Sequence, residues 1–256
     1  MIAASEIELR AGSELLLLAP MLRVDKGDRI GLVGRNGAGK TTLSRVLAGE
    51  SAPASGGIRT TGTVGYLPQD PRTADPDQLA RSRVLSARGL DAVSLRMAKA
   101  AEALAMPGIS TEEFDKSGER YNRALDEFES LGGYTAESEA ATIAASIGLD
   151  ERILSQPLGT LSGGQRRRVE LTRILFSDAD VLLLDEPTNH LDADSIRWLR
   201  KYLAAYEGGF IVISHDTELL EDTVNKVWHL DANRQEIDLY SMGWNKYLLA
   251  RETDEK

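Results

Sequence analysis

The chain has 256 residues, a net charge of −10, 42% hydrophobic and 27% charged residues, and no cysteine. That balance suits one large globular domain, or a domain with a subdomain, and excludes a disordered polyelectrolyte; the missing cysteines exclude a disulfide framework and a thiolate metal site, and fit a reducing compartment. An acidic surface is not built to coat a nucleic acid along its length, so any RNA contact must be local, and the short basic stretches available are Arg166 to Arg168 with Arg81 and Arg83.

Near the start, the apolar run Leu15 to Ala19 follows Glu14 and is far too short to span a bilayer. No basic segment followed by an apolar one opens the chain, so no signal peptide is expected. The reading is a soluble, cytoplasmic protein without membrane insertion. Short apolar strands then alternate with helical segments, the pattern of an α/β fold. Arg29 to Gly34 is a buried strand running into a glycine turn, and the helix after it ends at Gly49. Thr63 to Gln69 reads as another strand. The middle of the chain is rich in Ala, Leu, Glu and Arg at helical spacing. There Tyr121, Leu125, Phe128 and Leu131 mark one face of a helix closed by Gly132, and a second helix stops at Gly148. Further on, Asp180 to Glu186 and Gly209 to Ser214 carry the continuous apolar runs of central parallel strands. "KVWHLD" and "QEIDLY" form a terminal hairpin, and Trp244 to Lys256 is charged and helix-prone. The expected layout is an α/β core at 1–70 and 159–243, an inserted helical subdomain at 71–158, and the start of an inter-domain linker helix at 244–256.

Gly34-x-x-x-x-Gly39-Lys40-Thr41 follows a strand and opens a helix, the context that a phosphate-binding loop requires. Glycines let successive N–H groups point inward at phosphates, and the helix N-terminus favours an anion. The candidate nucleotide-binding residues are Gly34, Arg35, Asn36, Gly37, Ala38, Gly39, Lys40, Thr41 and Thr42. Lys40 would neutralise the terminal phosphates, and the Thr41 hydroxyl would ligate Mg²⁺. Asp185, at the end of its apolar strand, would hold the same Mg²⁺ directly or through water. Glu186 follows at the strand's carboxyl edge, where ligands sit in open α/β sheets, and could take a proton from an attacking water. Gln69 can meet Mg²⁺ or that water without adding charge. His215, at the end of another strand, could bond the γ-phosphate and place the water. His190 in a loop and His229 beside Trp228 lack such a case and read as packing residues.

With "GRNGAGKTT", "YLPQD", "LSGGQ", "LLLDEPTNHLD" and "ISHD" in this order, the chain resembles an ATP-binding cassette ATPase domain. The resemblance implies a P-loop NTPase core with a mostly parallel sheet, helices on both faces, and antiparallel strands at its N- and C-terminal parts; it implies ATP and Mg²⁺ as ligands and ATP hydrolysis. Within that superfamily the sequence is similar to the first cassette of ABC-F proteins, which act on ribosomes in translation or antibiotic resistance. Asn189-His190 within "DEPTNHLD" and, more loosely, the segment from Tyr240 carry that likeness. Two departures stand out. No aromatic residue precedes Tyr66, so Arg10 is the candidate to stack on the base. The family also joins two cassettes by a long helical linker, and one cassette is present in this sequence.

Ser162, Gly163, Gly164 and Gln165 make a second glycine-rich helix start. Read from the residues alone, Ser162 caps a helix whose apolar face holds Leu171, Ile174 and Leu175. The resemblance adds that these four residues face the γ-phosphate on a partner cassette, with Asp192 at the interface. One cassette alone is then expected to be a weak or inactive ATPase. The arginines that follow read as a solvated helix face or as a contact to partner or RNA. Three functions compete: a translation-associated ATPase, the ATPase subunit of a membrane transporter, and a nucleotide-gated switch with negligible turnover.

Overall fold

The computed structural model describes residues 1–69 and 75–254. The chain divides into two compact units, Met1–Pro71 with Asp178–Lys256, and Arg72–Ser177.

The first unit is built on a nine-stranded sheet. Its strands are β1 (Ile2–Ala11), β2 (Glu14–Val24), β3 (Arg29–Gly34), β4 (Ser55–Thr60), β5 (Val64–Leu67), β6 (Val181–Asp185), β7 (Gly209–Ile213), β8 (Lys226–Asp231) and β9 (Glu236–Tyr240). The order is β4-β1-β2-β9-β8-β3-β7-β6-β5. From β8 to β5 every pairing is parallel, while β1 pairs antiparallel with β2 and β4, and β9 with β8. This is the mixed sheet expected, and "KVWHLD" and "QEIDLY" are indeed its hairpin. β6 and β7 are buried at every residue, which explains why their sequences run apolar rather than alternate.

β1 does alternate, but its parity changes between Ala4 and Ile7. Glu6 sits there with φ 51°, and the register with β4 shifts between Ser5 and Glu8. The bulge keeps Ile2, Ala4, Ile7 and Leu9 all facing one core. Opposite it, a side chain on Gly56 would strike the Glu6 carbonyl, so the strand passes only as glycine. Helix α1 (Lys40–Leu47) buries Leu43, Val46 and Leu47 into the same core, each such side chain worth roughly 1.5–3 kcal/mol. The unit's other helices are α8 (Ala193–Ala205) between β6 and β7, α9 (Thr217–Thr223) between β7 and β8, and α10 (Trp244–Asp254) after β9. α10 is anchored through Tyr247, whose ring packs against Tyr240, Trp244 and His229 and whose hydroxyl lies 2.7 Å from His229 Nδ1. Burial lowers the pKa of His229, in keeping with a packing role.

The second unit holds α2 (Ala80–Leu85), α3 (Leu90–Leu104), α4 (Thr111–Ser130), α5 (Gly133–Ser146), α6 (Glu151–Leu154) and α7 (Gly163–Phe176). Two expectations change here. α7 packs on α2 and α5, so the boundary on this side lies at Ser177 rather than at 158. Its sides are buried well beyond the stripe of Leu171, Ile174 and Leu175, for Arg167, Val169, Glu170 and Thr172 are buried too. On α4 the buried positions are Ser117, Ala124 and Phe128, whereas Leu131 is exposed. Leu131 lies past the last helical residue, where the chain turns through Gly132 with φ 66°. Gly133 then meets the Phe128 ring so closely that no side chain fits. No helix among the described residues is long and apolar enough to cross a membrane.

Candidate active site

β3 delivers the chain to the phosphate loop, and α1 leaves it. Gly34 has φ 146°, and a Cβ there would lie 2.6 Å from the Leu230 carbonyl oxygen on β8. Gly37 and Gly39 have φ 83° and 96°, a region that costs other residues steric strain. Gly39 is also the N-cap of α1 and offers no side chain to its first N–H groups. Those donors are therefore free for an anion. Lys40 arches back over the loop and donates to the carbonyls of Gly34 (2.8 Å) and Arg35 (2.9 Å). Desolvation lowers its pKa, an effect opposed by Asp185 and Glu186.

The other wall comes from the ends of β6 and β7. The Thr41 hydroxyl donates to Asp185 Oδ2 at 2.7 Å, so two residues from distant sequence meet at one point. Glu186 leaves β6 with φ 50° while its N–H still bonds the Ile213 carbonyl of β7 at 2.8 Å. This turn aims the Glu186 carboxylate at His215, with Oε1 3.4 Å from Nε2. Glu186 is 8% exposed, and desolvation raises its pKa; His215 works against that rise. A carboxylate with raised proton affinity is better matched to accept a proton from water.

These groups line one cleft of about 630 Å³. Among the expected residues, Asn36, Gly37, Gly39, Lys40, Thr41, Thr42, Gln69, Asp185, Glu186 and His215 border it. Gly34, Arg35 and Ala38 shape the loop from behind, with Ala38 buried in the core. Sequence reasoning missed Ala11, Leu16, Thr188 and Asp216 as lining residues. Arg10 needs correction: it does not line the cleft, and its guanidinium is held by Glu8 and the Ser13 carbonyl. Neighbouring strand residues point to opposite faces, and the register between β1 and β2 shifts between Leu9 and Arg10, so on these strands Ala11 and Leu16 border the cleft.

Among the described residues no group of three or more His, Cys, Asp and Glu could hold a metal ion. Mg²⁺ does not need one, because it keeps several waters and phosphate oxygens and takes only one or two protein ligands. The hard oxygen donors Thr41 Oγ1 and Asp185 Oδ2, together on the cleft wall that Gln69 also borders, fit that ion.

In the helical unit, Ser162 and Gln165 form a reciprocal capping box: the Gln165 N–H donates to Ser162 Oγ (3.2 Å), and the Ser162 N–H to Gln165 Oε1 (2.8 Å). A Cβ on Gly163 would meet nothing within 4 Å. The arginines after it are neither a solvated face nor free cations. Arg166 donates to the Leu161 carbonyl (2.7 Å), Arg168 to the Gly148 carbonyl (3.1 Å), and Arg167 is buried. Asp192, in the α/β unit, caps α8 by accepting from the Ser195 N–H at 2.8 Å.

Comparison with known proteins bears on this arrangement. Over 240 residues the chain is 33% identical to the energy-dependent translational throttle protein EttA of Mycobacterium tuberculosis, covering 93% of this chain and 41% of that protein. It is 33% identical to the tylosin resistance ATP-binding protein TlrC of Streptomyces fradiae, covering 96% and 45%. The chain thus spans less than half the length of these relatives. In fold it is similar to the ATP-binding cassette MJ0796, solved in a dimeric post-hydrolysis state bound to ADP and Pi, with a TM-score of 0.61, 20% identity, and 95% and 100% of the two chains covered. The family model described as ABC transporter matches residues 19–189, a stretch that runs from the β1–β2 hairpin through the phosphate loop to Asn189 beside the cleft. The chain belongs to that ATP-binding cassette family, a family of ATPases.

Proposed function

We propose that this chain is the ATP-hydrolysing first cassette of an ABC-F-type protein of the cytoplasm, acting on the ribosome together with a second cassette. The observation that carries the catalytic part is Glu186 beside His215, facing the wall where Lys40, Thr41 and Asp185 converge. Lys40 and the α1 N-terminus bind the phosphates, and Glu186 accepts the proton of the attacking water, which His215 orients. Thr41 and Asp185, with Gln69 at hand, would hold Mg²⁺, which would supply neutralisation of phosphate charge.

The second cassette enters through Ser162 to Gln165. Gly163 has open space around it and no positive φ, so packing within this chain does not require glycine there. A bare helix start of this kind suits the close approach of a partner's phosphate. Support for the ribosome comes from the likeness to a protein named as a translational throttle and to one named for tylosin resistance. The description of the family model favours a second reading, the ATPase subunit of a transporter.

Glu186→Gln is expected to keep ATP binding and to lower hydrolysis by roughly 10²–10⁴-fold. In the full-length protein the same variant should co-sediment with ribosomes in ATP. Wild-type turnover in the variant excludes Glu186 as the base, and recovery of the protein only in the ribosome-free supernatant, with and without ATP, excludes the translational role.

A further inference from the structure

The basic stretches that stand out in the sequence are occupied in the structure. Arg81 pairs with Glu151, Arg83 with Glu170, and Arg166 and Arg168 with backbone carbonyls. Other cations of the helical unit have no ion pair among the described residues and cluster at one place. α3 and α4 pack as a hairpin and leave between them a groove of about 360 Å³. Ala100, Ala103 and Ala124, with the buried Ser117 among them, form its floor, and small side chains are what keep it open. Lys99, Arg120 and Arg123 stand on its rim, all exposed and without an ion pair among the described residues. Arg96, also on the rim, is neutralised by Glu127 at 2.8 Å. Toward the end where α3 passes to α4, Met106 and Phe114 are 64% and 50% exposed. Three uncompensated cations, an apolar floor and two large exposed apolar side chains thus share one short helical hairpin in a protein of net charge −10.

We infer that the α3–α4 groove is a docking site for a short acidic peptide segment of a partner protein, whose apolar side chains fill the alanine floor while its carboxylates pair with Lys99, Arg120 and Arg123. Charge complementarity selects an anionic occupant, and the alanine floor selects one with apolar side chains to bury. A nucleic acid backbone fits less well. It would run on beyond the groove past Glu112, Glu113, Asp115, Glu119, Asp126 and Glu129 of the same helix, within a screening length of about 8–10 Å. A peptide also faces the nearest of these carboxylates, Glu119 beside Arg120 and Asp126 beside the groove's own Glu127, but it alone brings apolar side chains for the floor. The inference does not depend on ATP hydrolysis or on ribosome binding.

The test is fluorescence anisotropy of the full chain with a short labelled peptide in which leucines alternate with glutamates, beside a labelled oligouridylate of similar length. The peptide is expected to bind saturably. The triple variant Lys99→Glu, Arg120→Glu, Arg123→Glu should weaken it by about tenfold or more, since three exposed charge pairs are lost. Ala103→Phe should weaken it as well, because it fills the floor and leaves every charge in place. The milder pair Arg120→Gln, Arg123→Gln serves if thermal unfolding shows either variant misfolded, with a partial loss expected. Peptide binding that is absent, or alike in all variants, overturns the inference. Oligouridylate binding that survives Ala103→Phe and is lost on charge reversal, without peptide binding, also overturns it and makes the groove a phosphate site.

Discussion

Glu186 combines three features that one residue seldom needs: a left-handed backbone, a buried carboxylate, and an imidazole 3.4 Å away. Burial raises its pKa, and His215 holds part of that rise back. The base form is lost as pH falls through this raised value. The acid limb of kcat should therefore lie above the ordinary Glu pKa of about 4.3. His215→Ala removes the imidazole's share of the opposing influence and keeps the backbone bond, so the limb should move to higher pH, in addition to any loss of water placement. Stopped assays of phosphate release across pH check both, and a limb at or below the ordinary value contradicts the assignment. Residues such as Glu186 and His215 were legible because a strand's apolar run ends on them, and the sheet then places them on one edge. Arg10 was not. Its misplacement is a matter of one residue in a strand, where a single step reverses the face, and nothing in the composition of "ELRAGSELL" marks the register shift.

α7 shows what an amphipathic pattern hides. Glu170 is a buried carboxylate that receives two bonds from Arg83 of α2, at 2.6 and 3.1 Å, and one from Arg173 at 2.8 Å. Next to it, Arg88 spreads over the Phe176 ring at 4.0 Å and makes a bidentate pair with Glu139 of α5. The helix is thus buried by ion pairs on one side and by Leu171, Ile174 and Leu175 on the other. Removing the central anion leaves two guanidinium groups without their partner. Glu170→Ala should cost about 3–5 kcal/mol, read as a lower denaturant midpoint. A loss under about 1 kcal/mol would mean that water replaces the carboxylate. Helix period predicts the apolar stripe because hydrophobicity repeats along one chain segment. It cannot predict Arg83–Glu170, since that pair depends on how two helices far apart in sequence meet. For the same reason the edge of the helical unit was placed too early, at 158: Ser162 to Gln165 reads as part of an ATP site, while the helix it starts packs with α2 and α5.

At the level of the whole molecule, the −10 charge and the cleft belong to one account. Like-charged copies repel, and ATP with its metal would have to supply what holds two cassettes together. If isolated chains hydrolyse ATP only as pairs, phosphate release should rise with the square of chain concentration at low concentration. Higher salt should raise it further by screening the repulsion. Strict proportionality to concentration, measured over a tenfold range, would show that a single chain completes the chemistry. The parallel sheet, the helical insertion and the phosphate loop were all readable from the sequence, because each leaves a local period or a glycine spacing. The alanine-floored groove was not, for its cations lie on two helices that only the hairpin brings side by side.

β8 has a double role that its six residues do not advertise. Leu230 is the wall against which Gly34 sits bare, and His229, one residue before it, holds the hydroxyl of Tyr247. The first glycine of the phosphate loop and the anchor of α10 are therefore mounted on adjacent rungs of one strand. α10 thus takes part of its bearing from the loop's own back wall, alongside Tyr240 of β9 and the bond from Asn245 to Glu221 of α9. A larger residue at 34 would disturb more than phosphate binding: by pushing β8 aside it would tilt the last helix as a clock hand turns with its spindle.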